Sequence, residues 1–119
     1  MKTVLICDDS RMMRKYLRSI LERNGYQVIG EASNGKIAVE KYEELIPDIV
    51  TMDITMAEMN GIEAVKKIKE THNDAKIIMC SAMGQRVMIM DAVKNGATDF
   101  IIKPFQEAQV LESLKKAIG

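Results

Sequence analysis

The chain has 119 residues, 47% of them apolar and 29% charged. That is the size and balance of one ordinary domain, able to bury roughly 65% of its unfolded surface without a disulfide framework or structural metal. Seventeen basic residues balance seventeen acidic ones, which argues against a chain built for nucleic acid or an anionic membrane. No apolar run approaches the ~18 residues of a membrane span, the N-terminus reads as a strand rather than a signal peptide, and Cys7 and Cys80 lie in separate apolar runs, so a reducing cytoplasm is expected.

Short apolar runs alternate with amphipathic stretches along the chain. Val4 to Cys7 predicts the first strand. A helical stripe follows, with Met13, Tyr16, Leu17, Ile20 and Leu21 on one face, ending at Asn24-Gly25. Gln27 to Ala32 predicts the second strand, and Ile37, Ala38, Tyr42 and Leu45 a second helix stopped by Pro47. Ile49 to Met52 predicts the third strand, followed by a stripe of Ile62, Val65 and Ile68. Lys76 to Cys80 predicts the fourth, then Ile89, Met90 and Val93 a helix closing at Asn95-Gly96. Phe100 to Ile102 predicts the fifth, and Val110, Leu111, Leu114 and Ile118 the last helix.

Asn-Gly occurs four times, at Asn24, Asn34, Asn60 and Asn95. The pair commonly marks a hairpin, but none of the four has alternating strands on both sides. At Asn24 and Asn95 it follows a helical stripe, where a left-handed helix cap is the better reading. Strands and helices in strict alternation give an α/β fold, a parallel sheet covered on both faces. Continuous apolar strands such as Val4-Leu5-Ile6-Cys7 fit burial on both sides.

In an open parallel sheet, ligands bind beyond the carboxyl ends of the strands. The first strand runs into Asp8 and Asp9, the third into Asp53, the fourth into Ser81 and the fifth into Lys103-Pro104. Three carboxylates on one rim repel one another and need counter-charge. Lys103 supplies one positive charge; a hard divalent cation would supply two more, and an all-oxygen ligand set without His or Cys suits Mg²⁺ or Mn²⁺. A carboxylate beside such an ion can attack phosphorus and form an aspartyl phosphate, with metal and lysine sharing the charge on the transferring oxygens. Asp53 is the best nucleophile because it stands alone at its strand end, leaving Asp8 and Asp9 to hold the ion. Taken singly these residues are weaker: Asp9 or Ser10 reads as a helix N-cap, Ser81 as a turn hydroxyl and Lys103 as a solvated surface residue. The set at four strand ends carries the argument.

These stretches, Ile6 to Ser10, Asp48 to Asp53, Met56 to Gly61, Ser81-Ala82 and Lys103-Pro104-Phe105, resemble the receiver domain of two-component response regulators. The resemblance covers residues 1–119, and within the family the chain most resembles the stand-alone chemotaxis members. It implies a flavodoxin-like (βα)5 fold with strand order 2-1-3-4-5. It implies that Asp53 accepts a phosphoryl group from a sensor histidine kinase, that Asp8, Asp9, Asp53 and the backbone carbonyl of Thr55 hold Mg²⁺, and that Lys103 and Ser81 contact the phosphoryl group. It further implies a cis Lys103-Pro104 bond and an exposed-to-buried switch of Phe100, although an aromatic in a strand is ordinarily core packing. Arg86, Ile89 and Phe100 are the candidates on the partner-reading face. The expected output is a flagellar or archaellar motor-switch or adaptor protein, with a phosphatase as a further partner and the receiver itself a monomer, a switch rather than an enzyme. The family usually has Pro where this chain has Ala57, which suggests a looser loop after the phosphoacceptor.

Alternatives remain at this level. A phosphorelay intermediate, or a receiver excised from a larger regulator, is compatible with the same site. An Mg²⁺-dependent aspartyl phosphohydrolase ordinarily carries a second acid two residues after the nucleophile, where this chain has Thr55. An FMN module would place phosphate where Asp8 and Asp9 repel it. His72, the single histidine, lies in a polar loop and reads as solvated, so the phosphoryl donor must be another protein. Of the ten methionines, Met56, Met59, Met83, Met88 and Met90 fall near the acidic rim or the fourth helix, most as gap fillers and a minority as adaptable docking surface. With strand order 2-1-3-4-5, Cys7 and Cys80 stand two strand spacings apart, about 9.5 Å, beyond the ~7 Å reach of a disulfide.

Overall fold

The protein is described by a computed structural model over residues 1–118. Strands and helices alternate as β1 (Thr3–Cys7), α1 (Arg11–Arg23), β2 (Gln27–Ala32), α2 (Gly35–Leu45), β3 (Ile49–Asp53), α3 (Gly61–Thr71), β4 (Ile77–Ser81), α4 (Arg86–Lys94), β5 (Asp99–Ile102) and α5 (Glu107–Ile118). The sheet is ordered β2-β1-β3-β4-β5 and every neighbouring pair is parallel. The expected flavodoxin-like architecture is therefore present, and strand ends agree with the sequence reading to within a residue.

Alternate residues of each central strand face opposite layers. Leu5 and Cys7 of β1 belong to the core layer under α2, α3 and α4, which also holds Ala38, Tyr42, Val65, Ile68 and Ala92. Val4 and Ile6 point toward α1 and α5, against Leu17, Ile20, Leu21, Val110 and Leu114. Both faces are buried, which is why β1 and β4 read as nearly continuous apolar runs and β3 as one broken only by Thr51. Cys7 and Cys80 fall on opposite faces and are unpaired thiols. Burial pushes both thiols up, Cys80 to about 12, so they behave as small apolar groups.

The four Asn-Gly pairs divide into two structural classes. Gly25 and Gly96 have positive φ, 84° and 109°, and close α1 and α4 as the left-handed caps expected. Asn34 and Asn60 instead start helices: each side chain accepts a backbone N–H one turn in, from Ile37 at 2.8 Å and from Glu63 at 3.0 Å. Glu63 reaches back to the Asn60 N–H, completing a capping box. Ser10, not Asp9, caps α1 through Met13 N–H, which leaves the Asp9 carboxylate available.

Two faces differ from the sequence reading. The stripe assigned to α4 placed Met90 and Val93 inside, but they are 61% and 47% exposed; the helix buries Ile89 and Ala92 instead. On β5, a sheet edge, Ile101 is buried while Phe100 and Ile102 are 41% and 43% exposed. Phe100 is thus not core packing. Ile89, Met90, Val93, Phe100 and Ile102 line an apolar groove of about 700 Å³ between α4 and β5, together with Arg86 and Lys94. Ile89, named as a surface candidate, is buried at 7% exposure and forms part of the groove lining. His72 also departs from expectation. It ends α3 half-buried, its ring 5.1 Å from that of Tyr42 and its Nε2 3.1 Å from Glu43 Oε1. Met83 is exposed, whereas Met56 is buried and Met59 and Met88 pack partly against the core.

Candidate functional site

The carboxyl ends of β1 and β3 are held in register by Val4 opposite Ile49 through Cys7 opposite Met52, which brings Asp8 beside Asp53. The chain after β3 is drawn back across the rim by two backbone bonds, Ile54 N–H to Cys80 C=O and Gly61 N–H to Ile54 C=O at 2.8 Å. Gly61 is required by this close approach, because a Cβ there would overlap the carbonyl oxygen of Asp53. β1 turns into α1 through Asp8, whose Oδ1 accepts the Ser10 N–H at 2.8 Å.

Asp8 and Asp53 are buried, at 1% and 7% exposure, and Asp9 is exposed. One carboxylate oxygen from each lies within 4.8 Å of the other two. Lys103 Nζ crosses the pocket from the end of β5, 2.9 Å from Asp8 Oδ2 and 3.4 Å from Asp53 Oδ1. The Lys103–Pro104 peptide bond is cis. Ser81, the last residue of β4, is fully buried and its hydroxyl has no hydrogen-bond partner. A buried hydroxyl without a partner is costly unless something else completes it. Every strand-end residue singled out in the sequence thus belongs to one rim, although the Ser81 hydroxyl makes no bond to the others.

The electrostatics follow from crowding. Burial, then the Asp8 carboxylate, push Asp53 up from its ordinary 3.8 to about 6, against the opposing pull of Lys103. Burial works against the charge on Lys103, but its hydrogen bond to Asp8 and the nearby Asp53 outweigh it and hold the ammonium more tightly than usual. One lysine does not neutralise three carboxylates. The donor set of clustered acid oxygens, with the buried thiols protonated, fits a hard divalent cation held by Asp8, Asp9 and Asp53.

Two residues of the site carry no obvious signal in the sequence. Arg14, four residues into α1, donates from Nη1 to the Asp8 carbonyl at 2.6 Å and from Nε to Glu31 Oε1 at 2.9 Å, with Arg18 completing the pair on Glu31. The second strand end, which offers no reactive group, instead anchors the helix that follows β1. Gln85 donates from Nε2 to the Thr55 hydroxyl at 2.9 Å and accepts the Ala82 N–H on Oε1 at 2.7 Å.

Residues 4–115 match the model of the family described as the response regulator receiver domain. The chain belongs to this family. The receiver is similar to the chemotaxis protein CheY of Thermotoga maritima, 60% identical over 115 residues that cover 97% of this chain and 96% of that one. It is likewise similar to CheY of Bacillus subtilis, 56% identical over 116 residues, covering 98% and 97%. Among solved structures, the CheX–CheY–BeF3–Mg²⁺ complex from Borrelia burgdorferi superposes with a TM-score of 0.95 at 38% identity, covering 99% of this chain and 90% of that one. The receiver is therefore CheY-like, of a class that signals rather than acting as a classical enzyme. No described helix is long and apolar enough to cross a membrane.

Proposed function

We propose that this receiver is a phosphorylation-dependent switch in chemotaxis, with Asp53 as the phosphoacceptor. The observation that carries the reading is the meeting of Asp8, Asp9 and Asp53 within 4.8 Å under the Lys103 ammonium. An Asp53 carboxylate oxygen attacks the phosphorus of a phosphohistidine on a sensor kinase. The new O–P bond forms as the P–N bond breaks, and the leaving imidazole nitrogen keeps the electron pair and takes up a proton. Asp8, Asp9 and Asp53 would hold Mg²⁺, with the backbone carbonyl of Thr55 as a fourth protein ligand and Mn²⁺ as a substitute. The ion, when bound, supplies positive charge to the oxygens of the transferring group. Lys103 stays charged throughout and shares that task. The Ser81 hydroxyl, buried without a partner, would donate to a phosphoryl oxygen on Asp53.

The output is protein binding. Phosphorylation biases two arrangements of the groove between α4 and β5, and a partner reads the difference through Arg86, Ile89 and Phe100. The candidate partners are a kinase of the chemotaxis type, a motor-switch or adaptor protein, and a phosphatase; the CheY of the Borrelia burgdorferi complex is bound to a protein partner, CheX. We place the receiver in the cytoplasm as a monomer, one unit over residues 1–119. The hydrolase alternative loses ground because the residue two after Asp53 is Thr55, its hydroxyl engaged by Gln85.

Incubation with acetyl phosphate and Mg²⁺ tests the chemistry: a switch gains one labile phosphoryl mass, a hydrolase turns acetyl phosphate over steadily, and a flavin carrier purifies yellow. Pull-downs with kinase and motor-switch candidates, with and without phosphorylation, test the pathway. Equal binding in both states by every candidate contradicts the chemotaxis assignment.

A further inference from the structure

The Gln85 amide joins the two loops that flank Asp53. Its Nε2 donates to Thr55 Oγ1, two residues after Asp53, and its Oε1 accepts from the N–H of Ala82, one residue after Ser81. Gln85 stands at the N-cap of α4 yet makes no side-chain cap bond to that helix; Oε1 is given to one loop, and Nε2 is shared between Thr55 and a long contact to Met88 Sδ of α4 at 3.9 Å. Its backbone continues the connection: the Gln85 carbonyl accepts the Ile89 N–H at 3.0 Å, and Ile89 lines the apolar groove between α4 and β5. One side chain therefore links the reacting rim to the first turn of the helix bordering that groove.

We propose that Gln85 is a positioning residue that transmits a change at Asp53 to the α4–β5 groove. A phosphoryl group bonded by Ser81 moves the residue next to it, Ala82, and one on Asp53 moves the loop that carries Thr55. Either displacement acts on the Gln85 amide, because releasing an arm leaves a half-buried polar group short of a partner. The pull is delivered to the start of α4 rather than lost in a flexible loop. The inference rests on Asp53 being the phosphoacceptor. It adds a mechanical route that Ser81 and Phe100 alone do not provide, and it assigns the amide a role that capping does not.

The test uses the full chain labelled with ¹⁵N, treated with acetyl phosphate and Mg²⁺, with amide shifts of Ile89, Val93 and Phe100 scaled to the phosphorylated fraction measured by intact mass. Gln85→Met keeps an unbranched side chain of similar length and removes the hydrogen bonds to both loops. Thr55→Val removes one arm and leaves Gln85 in place. The expected result is a per-phosphoryl shift at α4 and β5 cut at least about twofold in either variant, with no further loss when the two are combined. A full response in phosphorylated Gln85→Met overturns the relay alone, as does additive loss in the double variant. Failure of the parent chain to gain a phosphoryl group on Asp53 instead overturns the functional reading, and the relay with it.

Discussion

Replacing Asp53 with Asn should stabilise the metal-free protein while abolishing its chemistry. The carboxylate is buried against Asp8 and is raised from 3.8 to about 6, which at ~1.36 kcal/mol per pKa unit amounts to at most about 3 kcal/mol. Solvent at the rim screens part of this, leaving an expected gain of ~1–2 kcal/mol for a neutral side chain of the same shape. For a domain of 119 residues that corresponds to a melting temperature higher by roughly 4–8 °C. The sign with pH is fixed by linkage. The folded state holds the Asp53 proton more tightly than the unfolded chain, so this group's contribution to stability grows as pH falls through about 6 toward 3.8. The advantage of Asp53→Asn is therefore full near pH 8 and disappears near pH 4. Thermal and urea unfolding in EDTA measure it, and added Mg²⁺ should stabilise the parent chain more than the variant. An Asn variant no more stable than the parent at pH 8 would refute the crowding argument.

Lys103→Met should destabilise the metal-free protein by up to about 3 kcal/mol, because Asp8 and Asp53 lose their shared counter-charge; Mg²⁺ should recover much of the loss in a melt, and no recovery would count against a cation at this rim. Gly61→Ala forces a Cβ onto the Asp53 carbonyl, so urea unfolding should show a loss of about 2 kcal/mol or more and acetyl phosphate should label the chain more slowly. Burial pushes Glu31 up, but hydrogen bonds from Arg18 and Arg14 outweigh it and hold the carboxyl below its ordinary 4.5. Glu31→Gln should therefore cost at most about 1 kcal/mol at neutral pH, a difference that fades as acid protonates Glu31 in the parent, read by unfolding from pH 7 to pH 3.

The rim was legible because an apolar parallel strand has to expose its first polar residue where the sheet ends. Asp8 and Ser81 each follow an unbroken apolar run and Asp53 one broken only by Thr51, so topology alone delivers them to one edge. Lys103 is legible for the same reason at β5. The phase of α4 was harder to read, because Val87, Met90 and Val93 interrupt the arc of Arg86, Asp91 and Lys94 that faces solvent. The identical Asn-Gly pairs acquire opposite roles from their neighbours, with a helix before Asn24 and Asn95 and a helix after Asn34 and Asn60. Gln85 and Arg14 were invisible because their partners, Thr55, Glu31 and the Asp8 carbonyl, are assembled only by the sheet. In the loop where the family usually has Pro and this chain has Ala57, Met59 N–H meets the Ala57 carbonyl at 2.7 Å and Gln85 binds the Thr55 hydroxyl.

Borohydride reduction of the acetyl-phosphate-treated protein, followed by peptide mapping, tests the central assignment most directly, since it converts an aspartyl phosphate to homoserine at the residue that carried it. The account predicts homoserine at position 53, formed only when Mg²⁺ or Mn²⁺ is present. Conversion at Asp8 or Asp9, or equal conversion at Asp53 in EDTA, would contradict it.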